Sequence, residues 1–292
     1  MQKSIVALSN LHLFSAAEEA LQALSKSHIN FPHDTVATNT TALIERTGQA
    51  EIILVRPGLT LSAAYFDACP SVKYIGVCGT SIDNIDLKAV NKQGITLINI
   101  KDYGDEPTAE FKFMQLISLL RGVYGYEWAN EPHELHNKSI GIIGFGALGR
   151  AIAHVGLAYT PHVAYFSRTM KQESEVSYKD KVTLLSQSDI LFITSPTDVI
   201  VINEQEFELI PDGTILVQAS AGTCFDAAAF KKWTAHNGNY AIFDYAAGNE
   251  NYKKYHDLPR VIFPKIIAGH SHETRERLGN KVVQELKAYL TK

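Results

Sequence analysis

Ser139-Ile-Gly-Ile-Ile-Gly-Phe-Gly-Ala-Leu-Gly-Arg150 is the stretch that decides the fold. Ser139 to Ile143 is a short apolar run of the kind that forms a parallel strand buried on both faces. Ala147 to Ala158 follows with helical spacing and can bury Leu148, Ile152, Val155 and Leu157. Between them, Gly144 permits a tight turn, Gly146 lets backbone approach a pyrophosphate, and Gly149 lets the helix pack closely on the strand. Ala147 and Leu148 open the helix, whose unpaired N–H groups suit phosphate. The motif needs a second strand to follow the helix, and His162 to Phe166 supplies one.

The end of that second strand selects the cofactor. An acidic residue about 20 positions on from the motif would accept hydrogen bonds from the adenosine ribose of NAD. Ser167, Arg168 and Thr169 stand there instead, with Lys171 close behind. No carboxylate repels a 2′-phosphate, and Arg168 offers a fork that binds phosphate and a flat face that stacks on adenine. The sequence therefore predicts NADP(H) in preference to NAD(H).

Composition narrows the class. The 292 residues are long enough for two domains of ordinary size, and 46% hydrophobic with 20% charged residues describes a globular chain. A net charge of −4 gives no electrostatic footprint for nucleic acid. The first ten residues lack the apolar core of a signal peptide, and no 18-residue apolar run occurs, so a cytoplasmic protein without a membrane partner is expected. Cys69, Cys78 and Cys224 lack CxxC spacing and read as reduced thiols, with no metal site.

Short apolar runs alternate with helical segments throughout, which calls for parallel sheets covered on both faces. Strands are expected at Ser4–Leu8, Thr35–Thr38, Glu51–Val55, Lys73–Val77 and Thr96–Ile100, with helices such as Ala16–Ser25 and Leu87–Gln93 between them. Later strands are expected at Val163–Phe166, Ile190–Thr194, Thr214–Gln218, Tyr240–Phe243 and Val261–Phe263. Thr108 to Leu120 predicts a long apolar helix joining two domains. The aromatic arm Tyr124, Tyr126, Trp128 after it suits either an interface or packing on its own domain.

VKYIGVCGTSIDNIDLKAVNKQGITLIN, PTAEFKFMQLISLLRG, KSIGIIGFGALGRA and LIPDGTILVQASAG occur in this order, and together they resemble the D-isomer-specific 2-hydroxyacid dehydrogenases. The resemblance spans nearly the whole chain, and Tyr-Phe-Ser-Arg-Thr is similar to the NADP-preferring glyoxylate and hydroxypyruvate reductases of that family. It implies an α/β protein of two doubly wound parallel-sheet domains. A flavodoxin-like substrate domain would comprise residues 1–102 and 267–292, a Rossmann domain at 103–266 would be inserted in it, and a homodimer would form through the inserted domain. The resemblance also implies that Thr194, Ser195, Pro196, Ser220 and Asp244 line the cofactor. Gly79, Thr80 and Ser81 would receive the substrate, and Arg56 at the end of the Ile52–Val55 run suits either an approach to the same cleft or the satisfaction of carbonyls at a strand end.

That family's chemistry uses an Arg to clamp a 2-oxo acid, a His to deliver the proton and a Glu to orient the His. This chain departs from the pattern at all three positions. Ala221 stands where the Arg should be, Asn249 with Glu250 beside it where the Glu should be, and Lys265 after Pro264 where the His should be. His270 and His272 follow closely and read as a solvated helix start. Lys265, flanked by apolar residues, is the expected substitute acid, because a desolvated lysine loses affinity for its proton.

Two functions follow from the sequence. One is a nicotinamide-dependent reductase of a small carbonyl or imine with an altered proton donor. The other is a catalytically inactive dinucleotide binder acting as a redox sensor or scaffold.

Overall fold

Two parallel sheets organise the residues that the computed structural model describes, 3–125, 128–171, 175–236 and 238–291. They belong to two units, Met1–Tyr103 with Ser271–Lys292, and Gly104–His270.

In the first unit β1 (Ile5–Ala7), β2 (Ile52–Val55), β3 (Tyr74–Val77) and β4 (Thr96–Asn99) lie side by side in sequence order, all parallel. β2 and β3 are buried throughout, which explains their unbroken apolar runs. Helices α1 (Ser15–Gln22), α2 (Thr40–Thr47), α3 (Ala63–Ala68) and α4 (Leu87–Lys92) connect them. Asn39, Ser62 and Asp86 cap α2, α3 and α4 through their side chains. The strand expected at Thr35–Thr38 is absent. The segment is mostly exposed, and the Ala37 carbonyl is taken by the Arg46 guanidinium, 3.4 Å away, in place of a neighbouring strand.

The second unit contains α5 (Asp105–Leu120), β5 (Ile140–Ile143), α6 (Ala147–Leu157), β6 (Val163–Phe166), β7 (Ser177–Tyr178), α7 (Lys181–Gln187) and β8 (Ile190–Ile193). α8 (Glu204–Phe207), β9 (Ile215–Gln218), α9 (Ala227–Ala235), β10 (Tyr240–Ile242), α10 (Asn249–Tyr255) and β11 (Val261–Ile262) complete it. α11 (His272–Leu290) then returns to the first unit, where Leu278, Val282 and Leu286 are buried and Gly279 lies against Ala17 of α1. α5 lies wholly in the second unit.

The strand order of the second unit is β11-β10-β9-β8-β5-β6-β7, all parallel. The chain grows from β5 through β6 to β7, then restarts on the other side of β5 with β8. That reversal opens a crevice outside the carboxyl ends of β5 and β8. Side chains alternate between the two faces of the sheet: Ile190 and Phe192 join the core with Phe113, Ile152 and Val163, whereas Leu191 and Ile193 join Leu184, Phe230 and Trp233. β7 is a two-residue exposed strand with no apolar run to announce it. Trp128 of the aromatic arm packs on its own unit, 8% exposed, with its indole donating to the Gly213 carbonyl at 2.8 Å. Tyr126 lies outside the described residues.

Candidate functional site

The Gly144–Gly149 turn occupies the mouth of the crevice. Gly144 takes φ +99°, a left-handed conformation that a side chain resists, and a Cβ there would come within 2.7 Å of the Thr194 carbonyl oxygen. A Cβ on Gly149 would lie 2.5 Å from the Gly144 carbonyl oxygen, so the close approach of α6 to β5 requires hydrogen there. Gly146 differs, because a Cβ on it would meet no protein atom within 4 Å. Helix α6 begins at Gly146 with no side-chain cap. The first N–H groups of a helix, here including those of Ala147 and Leu148, lack intrahelical partners, and beside an uncrowded glycine they suit a pyrophosphate. Thr194 closes the turn from β8 by donating to the Gly144 carbonyl at 2.9 Å.

At the end of β6 the backbone folds back on itself. The buried Tyr165 hydroxyl accepts from the Lys171 N–H at 2.8 Å and donates to the Lys171 carbonyl at 3.2 Å, while Ser167 Oγ donates to the Thr169 carbonyl at 2.6 Å. This pinned loop presents Arg168 and Thr169 to solvent and leaves Ser167 half-buried. Tyr165 also stacks on Phe145 of the glycine turn, with ring centroids 3.9 Å apart, and so ties the two parts together. Sequence reading gave Tyr165 no such role.

Across the switch point, the ends of β8, β9 and β10 carry a buried polar cluster. Ser220 Oγ donates to the Ser195 carbonyl at 2.8 Å, drawing the loops after β8 and β9 together, and Gln218 Nε2 donates to the Gly222 carbonyl within the loop after β9. Pro196 is exposed at the rim. Asp244, 1% exposed, meets Lys112 Nζ of α5 at 3.0 Å through Oδ1 and accepts from the Ala246 and Ala268 N–H groups through Oδ2. Burial drives the Lys112 ammonium below the usual lysine range, against the opposing pull of Asp244. Gln115, one turn along α5 on the same side, donates to the Phe243 carbonyl at 3.2 Å.

At the positions where catalytic residues are expected, the structure departs from the desolvated setting inferred for Lys265. Lys265 is exposed, and its ammonium stands 4.8 Å over the Tyr252 ring, so the apolar surroundings inferred from its neighbours are not formed. Glu250 is exposed at the start of α10 and pairs with Lys253 of the same helix at 3.0 Å, turned to its own surface. Asn249 accepts from the Tyr245 hydroxyl at 2.9 Å. The inward residue of this stretch is Asn251, whose amide donates to the Gly222 and Ala247 carbonyls. Ala221 is exposed between these groups.

In the first unit, Arg56 follows β2, exposed, with its N–H bonded to Ser9 Oγ at 3.2 Å. It lines a polar cavity of about 390 Å³ with Asn10, His12, His33 and Asp34. Gly79 packs tightly on Pro57, Thr80 Oγ1 donates to the Ile100 carbonyl, and the Ser81 hydroxyl is held by Asp83. Among the described residues no cluster of His, Cys, Asp and Glu could hold a metal ion, and no helix is long and apolar enough to cross a membrane. Cys69, Cys78 and Cys224 are free and buried.

A family model described as D-isomer specific 2-hydroxyacid dehydrogenase, catalytic domain, matches residues 6–292. A glyoxylate reductase of Thermococcus litoralis is 26% identical over 276 residues, covering 85% of this chain and 82% of the relative. The solved 2-hydroxyacid dehydrogenase of Ketogulonicigenium vulgare superposes with a TM-score of 0.80 at 23% identity, covering 100% of this chain and 96% of that one. An acyclic imino acid reductase, solved in complex with NADPH and D-Arg, gives 0.80 at 21% identity over 99% of this chain and 97% of its own.

Proposed function

Because the chain belongs to the D-isomer specific 2-hydroxyacid dehydrogenase family, we propose that it is an NADP(H)-dependent reductase acting on a small carbonyl or imine. A nicotinamide dinucleotide supplies the hydride. The chain's own residues bind and orient it. The Gly144–Gly149 turn and the α6 N-terminus take the pyrophosphate, and Ser167, Arg168 and Thr169 take the 2′-phosphate. Ser195, Pro196, Ser220 and Asp244 form the nicotinamide side. The observation that carries the reading is the pinned loop after β6, which presents Arg168 where a carboxylate would reject that phosphate.

The substrate is a carbonyl or imine without an obligatory carboxylate, since Ala221 replaces the guanidinium that would clamp one. The Gly79-Thr80-Ser81 turn and Arg56 would receive it. Lys265 keeps its candidacy as proton donor from its place in the sequence alone, because its exposure removes the desolvation argument. The imino acid reductase among the similar structures supports an imine as readily as a ketone. The enzyme would act in the cytoplasm, a reading that three free, unpaired thiols support. It would act as a homodimer, which an apolar groove of about 400 Å³ bordered by the exposed Met114, Val123 and Ile266 supports.

A second reading, a catalytically inactive dinucleotide binder serving as a redox sensor or scaffold, is favoured by the exposure of Lys265 and the turning away of Glu250. Steady-state assays with NADPH separate the two. The reductase reading expects turnover of a neutral ketone or imine, with glyoxylate, pyruvate and hydroxypyruvate slower than an ordinary family enzyme by about 10²–10⁴, the usual worth of a positioned acid. Tight NADPH binding with no turnover of any ketone, imine or 2-oxo acid would establish the second reading.

A further inference from the structure

Among the described residues, Lys112 and Asp244 are the two charged side chains in the buried interior, and Lys112 has no exposure at all. A buried ion pair is a poor stabiliser, because apolar side chains of similar volume often hold a fold as well or better. Lys112 sits in a helix whose other buried positions include Ala109, Phe113, Leu116 and Leu119, where methionine would serve packing equally. Its ammonium carries three donors, yet its contact with Asp244 is an ion pair at 3.0 Å, and among the described residues neither Nζ nor Asp244 Oδ1 has a hydrogen-bond partner. The Oε1 atoms of Gln115 and Gln218, in the same buried region, also lack a hydrogen-bond partner there. A polar cluster left this incomplete has a purpose other than stability.

Its position indicates the purpose. The glycine turn and the Arg168 loop assign β5 and β6 to the pyrophosphate and adenosine half of the dinucleotide, so the ends of β8, β9 and β10 belong to the nicotinamide half. Asp244 follows β10 directly. A carboxylate alone at that end attracts the oxidised nicotinamide, which is cationic, and is indifferent to the reduced ring, which is neutral. Paired with Lys112, the carboxylate loses most of that field.

We propose that Lys112 is a positioning residue that sets the redox-form preference of the site, cancelling Asp244 so that the oxidised dinucleotide loses the electrostatic advantage that a lone carboxylate would give it over the reduced one. The proposal rests on the dinucleotide-binding reading above. Its direction suits a reductase, which must release the oxidised form.

The test is the ratio of the dissociation constants for NADP⁺ and NADPH, measured by calorimetry on the wild type, Lys112→Met, Asp244→Asn and the double variant, each checked for fold by circular dichroism. Lys112→Met should shift the ratio toward NADP⁺ by roughly tenfold. Asp244→Asn, which leaves the cation unpaired, should shift it toward NADPH, and the double variant should return near the wild-type ratio. If Lys112→Met does not fold, the opposite displacement in Asp244→Asn and the recovery in the double variant decide the matter. A ratio unchanged in every folded variant, with both affinities falling together, would mean that the pair is merely structural and would overturn the proposal. A wild type that binds neither form overturns the dinucleotide reading as well, so the two failures are distinguishable.

Discussion

At the scale of single residues, three glycines in one turn carry different loads. Gly149 cannot accept a methyl group, because backbone 2.5 Å away has nowhere to go, whereas Gly146 has room for one at an ordinary φ of −82°. Gly149→Ala should therefore destabilise the protein by about 1–3 kcal/mol through overpacking. Gly146→Ala should leave the unfolding midpoint nearly unchanged and yet weaken dinucleotide binding at least tenfold, because the methyl group occupies the space left for the pyrophosphate. Thermal unfolding paired with calorimetry checks both, and unaltered binding in Gly146→Ala would place the phosphates elsewhere.

The buried titratable groups give the alkaline limb its shape. Burial pushes the Cys78 and Cys224 thiols up to about 12. Between the usual thiol range and that value the unfolded chain has lost protons that the folded chain keeps, so stability falls with rising pH. The slope approaches about 1.4 kcal/mol per pH unit for each group. Denaturant midpoints from pH 8 to 11 should decline less steeply in Cys78→Ala than in the wild type, and parallel curves for the two would refute this assignment.

At the scale of elements, the sequence was most legible where burial is complete. β2, β3, β5, β8 and β9 are buried at every position, and each appears as an unbroken apolar run of four residues, or of three before Gln218 in β9. β7 was missed because two exposed residues carry no pattern, and Thr35–Thr38 was over-read because β-favouring residues alone do not supply a partner strand. The candidate site divides the same way. The glycine turn and Arg168 follow from local spacing, whereas Asn251 and Tyr165 act through contacts with loops distant in the chain or folded back on them. Lys112 did leave a signal: within TAEFKFMQLISLL the helical period puts it on one face with Ala109, Phe113 and Leu116, and a charge on the buried face of a helix demands a partner. Lys265 shows the limit of this reasoning. Apolar neighbours along the chain do not guarantee apolar neighbours in space, and this side chain turns outward over Tyr252.

At the scale of the whole molecule, the proposed nucleotide site lies on the seven-stranded sheet, whereas Arg56 and the Gly79 turn follow strands of the four-stranded one. The groove beside Met114 offers a face for a second copy. Light scattering should give twice the 32.3 kDa chain mass, and Met114→Glu should lower it toward the monomer, whereas a monomeric wild type would remove the homodimer from the account. The claim on which the rest depends is that this fold holds NADP(H) through Arg168. Calorimetric titration of the wild type and Arg168→Ala with NADPH and NADH tests it most directly. A charge-assisted phosphate contact contributes about 1.5–3 kcal/mol, so the wild type should bind NADPH roughly tenfold to a hundredfold tighter than NADH, and Arg168→Ala should lose most of that preference. Equal affinities in the wild type, or a preference that survives removal of Arg168, would contradict it.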